Sequence, residues 1–158
     1  MKLAVLALEG AFDTGLSTVL DTLSTANELS ALHARSGPHF DVRIVGVRRR
    51  VHSAQRLGVP VMAVADCPQP DCVIVPALGY KMPVPLQLAL ARNDVAEAID
   101  VLRRWAAAGT RIAAACIGTL SSRKAGFWTN MKQPPRGGLP RFFDSVTRRC
   151  GWIPVAWW

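Results

Sequence analysis

The chain lacks the spacings and runs that mark several large classes of protein. Its four cysteines, Cys67, Cys72, Cys116 and Cys150, include no Cys-x-x-Cys pair, and no His-x-x-x-His segment accompanies them. A tetrahedral zinc site needs closely spaced ligands of that kind, so neither a metal nor a cofactor is expected. No apolar run approaches the roughly 20 residues that cross a bilayer. The longest, CVIVPAL and TRIAAAC, suit buried strands. The opening MKLAVLAL has one Lys and then meets Glu9-Gly10. It has no basic lead and no small-residue cleavage site, so it reads as a strand and not a secretory signal. A cytoplasmic protein with free thiols and no membrane partner is the expectation. Histidine is scarce as well. His33, His39 and His52 are the only three, and all precede Cys116.

What is present is a globular composition. Half of the 158 residues are apolar, enough for one domain with a core. The net charge of +8 invites a nucleic-acid reading, but its distribution argues against one. Residues 1–119 hold twelve Lys/Arg against ten Asp/Glu. Residues 120–158 hold seven Lys/Arg against Asp144 alone, together with four of the five tryptophans. The body is ordinary and the tail is anomalous. Arg48-Arg49-Arg50 could contact an anion, but a solvated loop is the plainer reading. Arg103 and Arg104 belong to the polar face of a helix.

Hydrophobic periodicity predicts a strand over Lys2–Leu8 and a helix over Thr14–Leu32, with Leu16, Val19, Leu20, Leu23, Ala26 and Leu29 at helical spacing. Asp13 or Thr14 can cap that helix by accepting a free backbone N–H. Further strands are predicted over Phe40–Val47, Val59–Val64, Cys72–Pro76 and Arg111–Ala115. Asp94–Ala108 is an amphipathic helix, with Val95, Ala98, Ile99, Leu102 and Trp105 on one side. Gly109 stops it, because glycine tolerates the left-handed cap. Strands alternating with helices imply an α/β fold: a flavodoxin-like parallel sheet with helices on both faces. Open sheets of this kind place ligands at the carboxyl ends of their strands. After Thr119 no helical period follows, and Pro134, Pro135, Gly137, Gly138 and Pro140 break any regular element.

Four blocks in order, LALEGAFDTGLSTVLDTLSTANEL, FDVRIVGVRRRVHSAQRLGVPV, CVIVPALG and IAAACIGT, resemble one family closely. They are similar to the N-terminal sensor domain of AraC/XylS-type transcriptional regulators, which is PfpI-like and belongs to the class I glutamine amidotransferase-like superfamily. The resemblance covers residues 1–119 and implies a partial domain of that kind. In the family a helix and a strand with paired tryptophans follow the last block, and neither is found here. The genetic code offers a reason. Reading the tail one nucleotide earlier forces Asp from Trp128-Thr129, Glu from Met131-Lys132, Asp from Trp152-Ile153 and Val from Trp157-Trp158. One allowed translation supplies a helix, a strand, a second helix and another strand without a stop codon. Residues 120–158 are therefore expected to be an out-of-frame tail, irregular and either disordered or poorly packed, which leaves the sheet incomplete.

The resemblance places Cys116 at the superfamily's nucleophile elbow, where helix N–H groups lower a thiol's pKa. Catalytic relatives put a His directly after that Cys or later in the chain, whereas Ile117 follows it here. Cys116 and Ile117 are expected to contact a ligand or to be structural, not catalytic. Gly79 either lets the backbone approach a small ligand or is a simple turn glycine. Glu9 and Asp13 are the nearest candidates for the superfamily's acidic partner, and Asp13 reads first as a cap. The expectation is a vestigial fragment of an AraC-type regulator that meets a small-molecule ligand or a second copy of itself. Without helix-turn-helix units, these residues should not bind operator DNA specifically. The competing class is a PfpI-like cysteine-dependent hydrolase, hydratase or glyoxalase acting through Cys116.

Overall fold

The computed structural model describes residues 1–32 and 39–114. Five strands form a parallel sheet in the order β5-β2-β1-β6-β7, where β1 is Lys2–Leu6, β2 is Asp41–Gly46, β5 is Met62–Ala63, β6 is Cys72–Val75 and β7 is Arg111–Ala114. A two-stranded antiparallel hairpin, β3 (Val51–His52) and β4 (Gly58–Val59), sits outside it. The helices are α1 (Asp13–Leu32), α2 (Pro83–Leu90) and α3 (Asn93–Ala107). This is the flavodoxin-like α/β architecture.

The period of two along β1 explains the layering. Leu3 and Val5 face α1 and meet Leu16, Val19 and Leu23. Ala4 and Leu6 face the other way, into a core with Ala89 of α2 and Val95, Ala98, Ile99 and Leu102 of α3. Residues 3–8 are all buried, as a strand covered on both faces requires. Each fully buried Leu or Val contributes about 1.5–3 kcal/mol relative to exposure. Such burial, and not intrinsic propensity, fixes the register Leu3↔Val42 and Leu3↔Cys72.

The long elements fall close to their expected bounds. Gly109 ends α3 at φ +91, and its N–H donates to the Ala106 carbonyl at 3.0 Å. The expected strand over Val59–Val64 is instead divided. Residues 58–59 pair with β3, residues 62–63 pair with β2, and Val64–Asp66 forms a single 3-10 turn. Pro60 stands between the two pairings and has no N–H to carry a ladder across. Helix α2 had no counterpart in the sequence reading, because PVPLQLAL carries two prolines. Both lie in the first turn, where backbone N–H groups have no helical acceptor anyway. The expected irregular tail, Cys116 and Ile117 lie outside the described residues.

Candidate functional site

The sheet order reverses between β1 and β6. The chain leaves β1 for β2 on one side and later returns to β6 on the other. At such a switch point the loops leaving the carboxyl ends diverge and open a crevice. Here those loops are Ala7–Phe12 after β1 and Pro76–Tyr80 after β6. The hairpin loop Ser53–Leu57 joins them from the side.

Backbone hydrogen bonds bind the three loops together. Gly10 N–H donates to the His52 carbonyl at 2.8 Å, Phe12 N–H to Ala77 at 2.8 Å, Ala54 N–H to Ala11 at 2.8 Å and Gly79 N–H to Gly10 at 2.8 Å. Gly10 takes φ +76, the left-handed region that glycine enters without a Cβ penalty. A Cβ there would also meet the Tyr80 hydroxyl at 3.0 Å. Gly79 is not in that region, and the space a Cβ would need is already taken. An ideal Cβ would lie 2.2 Å from the Ala54 Cβ. Gly79 is therefore where two loops touch, and the backbone contact it makes is with Gly10.

Four ionisable or polar side chains gather on this frame. Glu9 accepts from the His52 N–H through Oε2 at 2.9 Å, and its Oε1 lies 3.3 Å from His52 Nδ1. Both side chains are about half exposed. Asp13 opens α1, but its carboxylate does not cap the helix as expected. Its Oδ2 accepts from the Gln55 N–H at 3.2 Å, because the hairpin loop lies directly over the start of α1. The first carbonyl of the helix is supplied by Phe12, which accepts from Leu16 N–H at 2.9 Å. Asp13 Oδ1 is buried and accepts no hydrogen bond from a described residue. A buried acceptor left without a donor costs free energy.

Arg92, at the junction of α2 and α3, reaches the same place. Its guanidinium donates to the Glu9 carbonyl at 2.7 Å and to the Tyr80 hydroxyl at 3.2 Å. It also grips Asp94 through Nε and NH2, each at 2.9 Å. The hydrogen bond to Asp94 raises the Arg92 pKa further, against the opposing effect of burial. A second cross-link joins Arg48, after β2, to Glu97 of α3 in a two-pronged pair, one prong at 2.6 Å. That bond pulls the Glu97 carboxyl below its usual range and pushes Arg48 up. The basic run is thus partly committed to holding α3.

Of the residues named from the sequence, the structure brings Glu9, Asp13 and Gly79 to one edge. His52 and Arg92 join them there. His39 is exposed at the other end of the sheet, where its carbonyl accepts from the Met1 amine at 2.8 Å. An open hollow of about 560 Å³ also lies at that amino-terminal end, lined by Met1, Gln69, Asp71 and Arg111. It lies at the opposite end of the sheet from the switch point. No group of His, Cys, Asp and Glu among the described residues could hold a metal ion. No described helix is long and apolar enough to cross a membrane. Cys67 and Cys72 are not joined in a disulfide, and burial pushes the Cys67 thiol up.

The fold recurs in solved structures. An AraC family transcriptional regulator from Pseudomonas putida aligns with TM-score 0.63 and 19% identity, over 98% of this chain and 76% of its own. A protein from Vibrio parahaemolyticus described as a transcriptional regulator aligns with TM-score 0.60 and 20% identity, over 80% of this chain. This chain spans only 62% of the length of the Vibrio protein. A DJ-1 superfamily protein from Salmonella typhimurium aligns with TM-score 0.54 and 19% identity, over 96% and 91%. No protein-family model and no curated protein matches the chain. The described domain therefore has the DJ-1/PfpI type of α/β fold, and structures with that fold include AraC-family regulators.

Proposed function

We propose that residues 1–119 are most of a ligand-sensing domain derived from an AraC-type transcriptional regulator, and that this domain is not a catalyst. The observation that carries the reading is the three-loop junction at the β1/β6 switch point. It gathers Glu9, His52, Asp13 and Arg92 at the edge where open α/β sheets receive small molecules. The fold is one that AraC-family regulators share. The Glu9 carboxylate, the Arg92 guanidinium and one carboxylate oxygen of Asp13 each hold a loop in place. None of the three histidines follows Cys116 as a base. In this reading the domain meets a small ligand and pairs with a second copy. Residues 120–158 are the product of a shifted frame, and the 158 residues are a vestigial fragment without specific operator binding.

The test is to read the encoding gene past the Thr119 codon one nucleotide earlier. The expected result is an open frame running on into two helix-turn-helix segments. A stop codon in that frame within the span of residues 120–158 refutes the fragment reading. The non-catalytic part is tested separately by alkylation. Cys116 should react with iodoacetamide at the rate of an ordinary thiol. A fast reaction that persists well below the usual thiol pKa of about 8.5 would mark an activated nucleophile and refute it.

A further inference from the structure

Arg92 uses its guanidinium more fully than an ion pair requires. Two parallel bonds to Asp94 would satisfy the charge, and Asp94 is itself buried. The group goes further and places donors on the Glu9 carbonyl, 83 residues away in sequence, and on the Tyr80 hydroxyl. Those acceptors belong to the two loops that form the switch point. The Tyr80 hydroxyl lies over Gly10, the residue in the left-handed conformation. The side chain of Glu9, the residue whose carbonyl is gripped, pairs with His52.

We propose that Arg92 is the positioning residue of the ligand-site loop: it ties Glu9 and Tyr80 to the start of α3 and so fixes Gly10, the Glu9–His52 pair and the mouth of the crevice. The proposal rests on the switch-point reading above for what the loop receives, but not for how the loop is held. The chemistry suits arginine alone. A planar fork with five N–H donors can serve a carboxylate edge-on while its remaining donors reach a carbonyl and a phenol. A lysine ammonium could keep the Asp94 pair but could not span all three acceptors. Backbone carbonyls at loop corners have few fixed partners, so a charged donor there restrains the loop strongly.

The experiment is amide hydrogen exchange on the full chain without any ligand, together with the His52 ring signal in NMR. That signal is assigned by its loss in His52→Gln. Arg92→Ala should speed exchange at Gly10, Ala11, Phe12 and Gly79 by about tenfold or more, the loss expected for hydrogen bonds to a charged group. It should also shift the His52 signal. The amides of Val5 and Leu6, in the centre of the sheet, should keep their protection. Arg92→Lys guards against a variant that fails to fold. It should restore the melting temperature through Asp94 yet leave the loop amides fast. Tyr80→Phe should reproduce a smaller loop effect. Unchanged loop exchange in Arg92→Ala overturns the proposal, as does an equal rise at Val5 and Leu6. So does full rescue of the loop by Arg92→Lys, which would reduce the residue to a partner for Asp94. Because no ligand is present, failure here leaves the sensor reading standing, and a failed gene reading or alkylation test leaves Arg92's role standing.

Discussion

The contact between Gly79 and Ala54 allows a sharp test of how rigid the switch point is. A methyl group on Gly79 would sit 2.2 Å from the Ala54 methyl. Carbon atoms in contact lie about 3.5–4.0 Å apart, so one loop must move by more than an ångström. Neither is loose. Gly79 N–H is bonded to Gly10 and Ala54 N–H to Ala11, both at 2.8 Å, and Ala11 bridges to Ser53 and Leu78. Overpacking of this kind costs about 1–3 kcal/mol, and each strained backbone bond adds up to about 1 kcal/mol. Gly79→Ala should therefore destabilise by about 2–4 kcal/mol. Ala54→Gly removes the obstacle. The next atoms around a Gly79 Cβ are then the Gly10 oxygen at 3.5 Å and the residue-54 Cα at 3.6 Å, ordinary contacts. In that background Gly79→Ala should be neutral or stabilising by a few tenths of a kcal/mol, through the loss of unfolded-state freedom. The coupling energy across the four chains should exceed about 2 kcal/mol, within the range seen for touching residues. Urea unfolding followed by far-ultraviolet circular dichroism measures it. If Gly79→Ala costs the same in both backgrounds, or nothing in either, the loops are not held as described.

The core and its electrostatic ties make further predictions. Leu102 is 1% exposed within the cluster that joins β1, β6 and α3, so Leu102→Ala should cost about 2–5 kcal/mol, read from the same unfolding curves. Glu97 is held below its ordinary carboxyl value of 4.5, first by the hydrogen bond from Arg48. A group whose folded pKa is depressed contributes above its unfolded value and loses that contribution as pH falls through the folded one. Stability should thus decline below about pH 4.5 with a small share due to this pair. Glu97→Gln should remove that share, lowering stability slightly at neutral pH and leaving it unchanged in acid, where the carboxyl is already protonated. Because both side chains are about half exposed, high salt should erase most of the difference. A difference that high salt leaves undiminished would contradict the surface pairing.

Periodicity made the sheet legible because burial on both faces leaves a long apolar signature, as in Leu3–Leu8 and Cys72–Val75. It also found α3, whose buried residues Val95, Ala98, Ile99 and Leu102 recur at helical spacing. It missed α2, because two prolines in eight residues read as a break until their place in the first turn is known. It joined β4 to β5, because a run of apolar residues does not reveal that its two ends pair with different strands. Asp13 read from the sequence as the cap of α1, and its carboxylate instead accepts from the hairpin loop. Its donor, Gln55, lies 42 residues away and follows from the docking of the hairpin.

The remaining site residues show why such a junction escapes a sequence reading. Glu9 was a candidate only through the family resemblance, and His52 and Arg92 are common polar residues with no spacing to it, each looking like a solvated loop or helix end in isolation. Their link is topological. Once β2 and β6 flank β1, the ends of β1 and β6 and the hairpin after β2 are forced to one edge, and the α2–α3 junction must cross above them to return the chain for β7. An arginine at that crossing can reach the Glu9 carbonyl only because the sheet order has already been settled. The legible apolar pattern thus determines where the illegible polar contacts occur. A change that left every apolar position intact but reversed the order of β1 and β6 would abolish all of them.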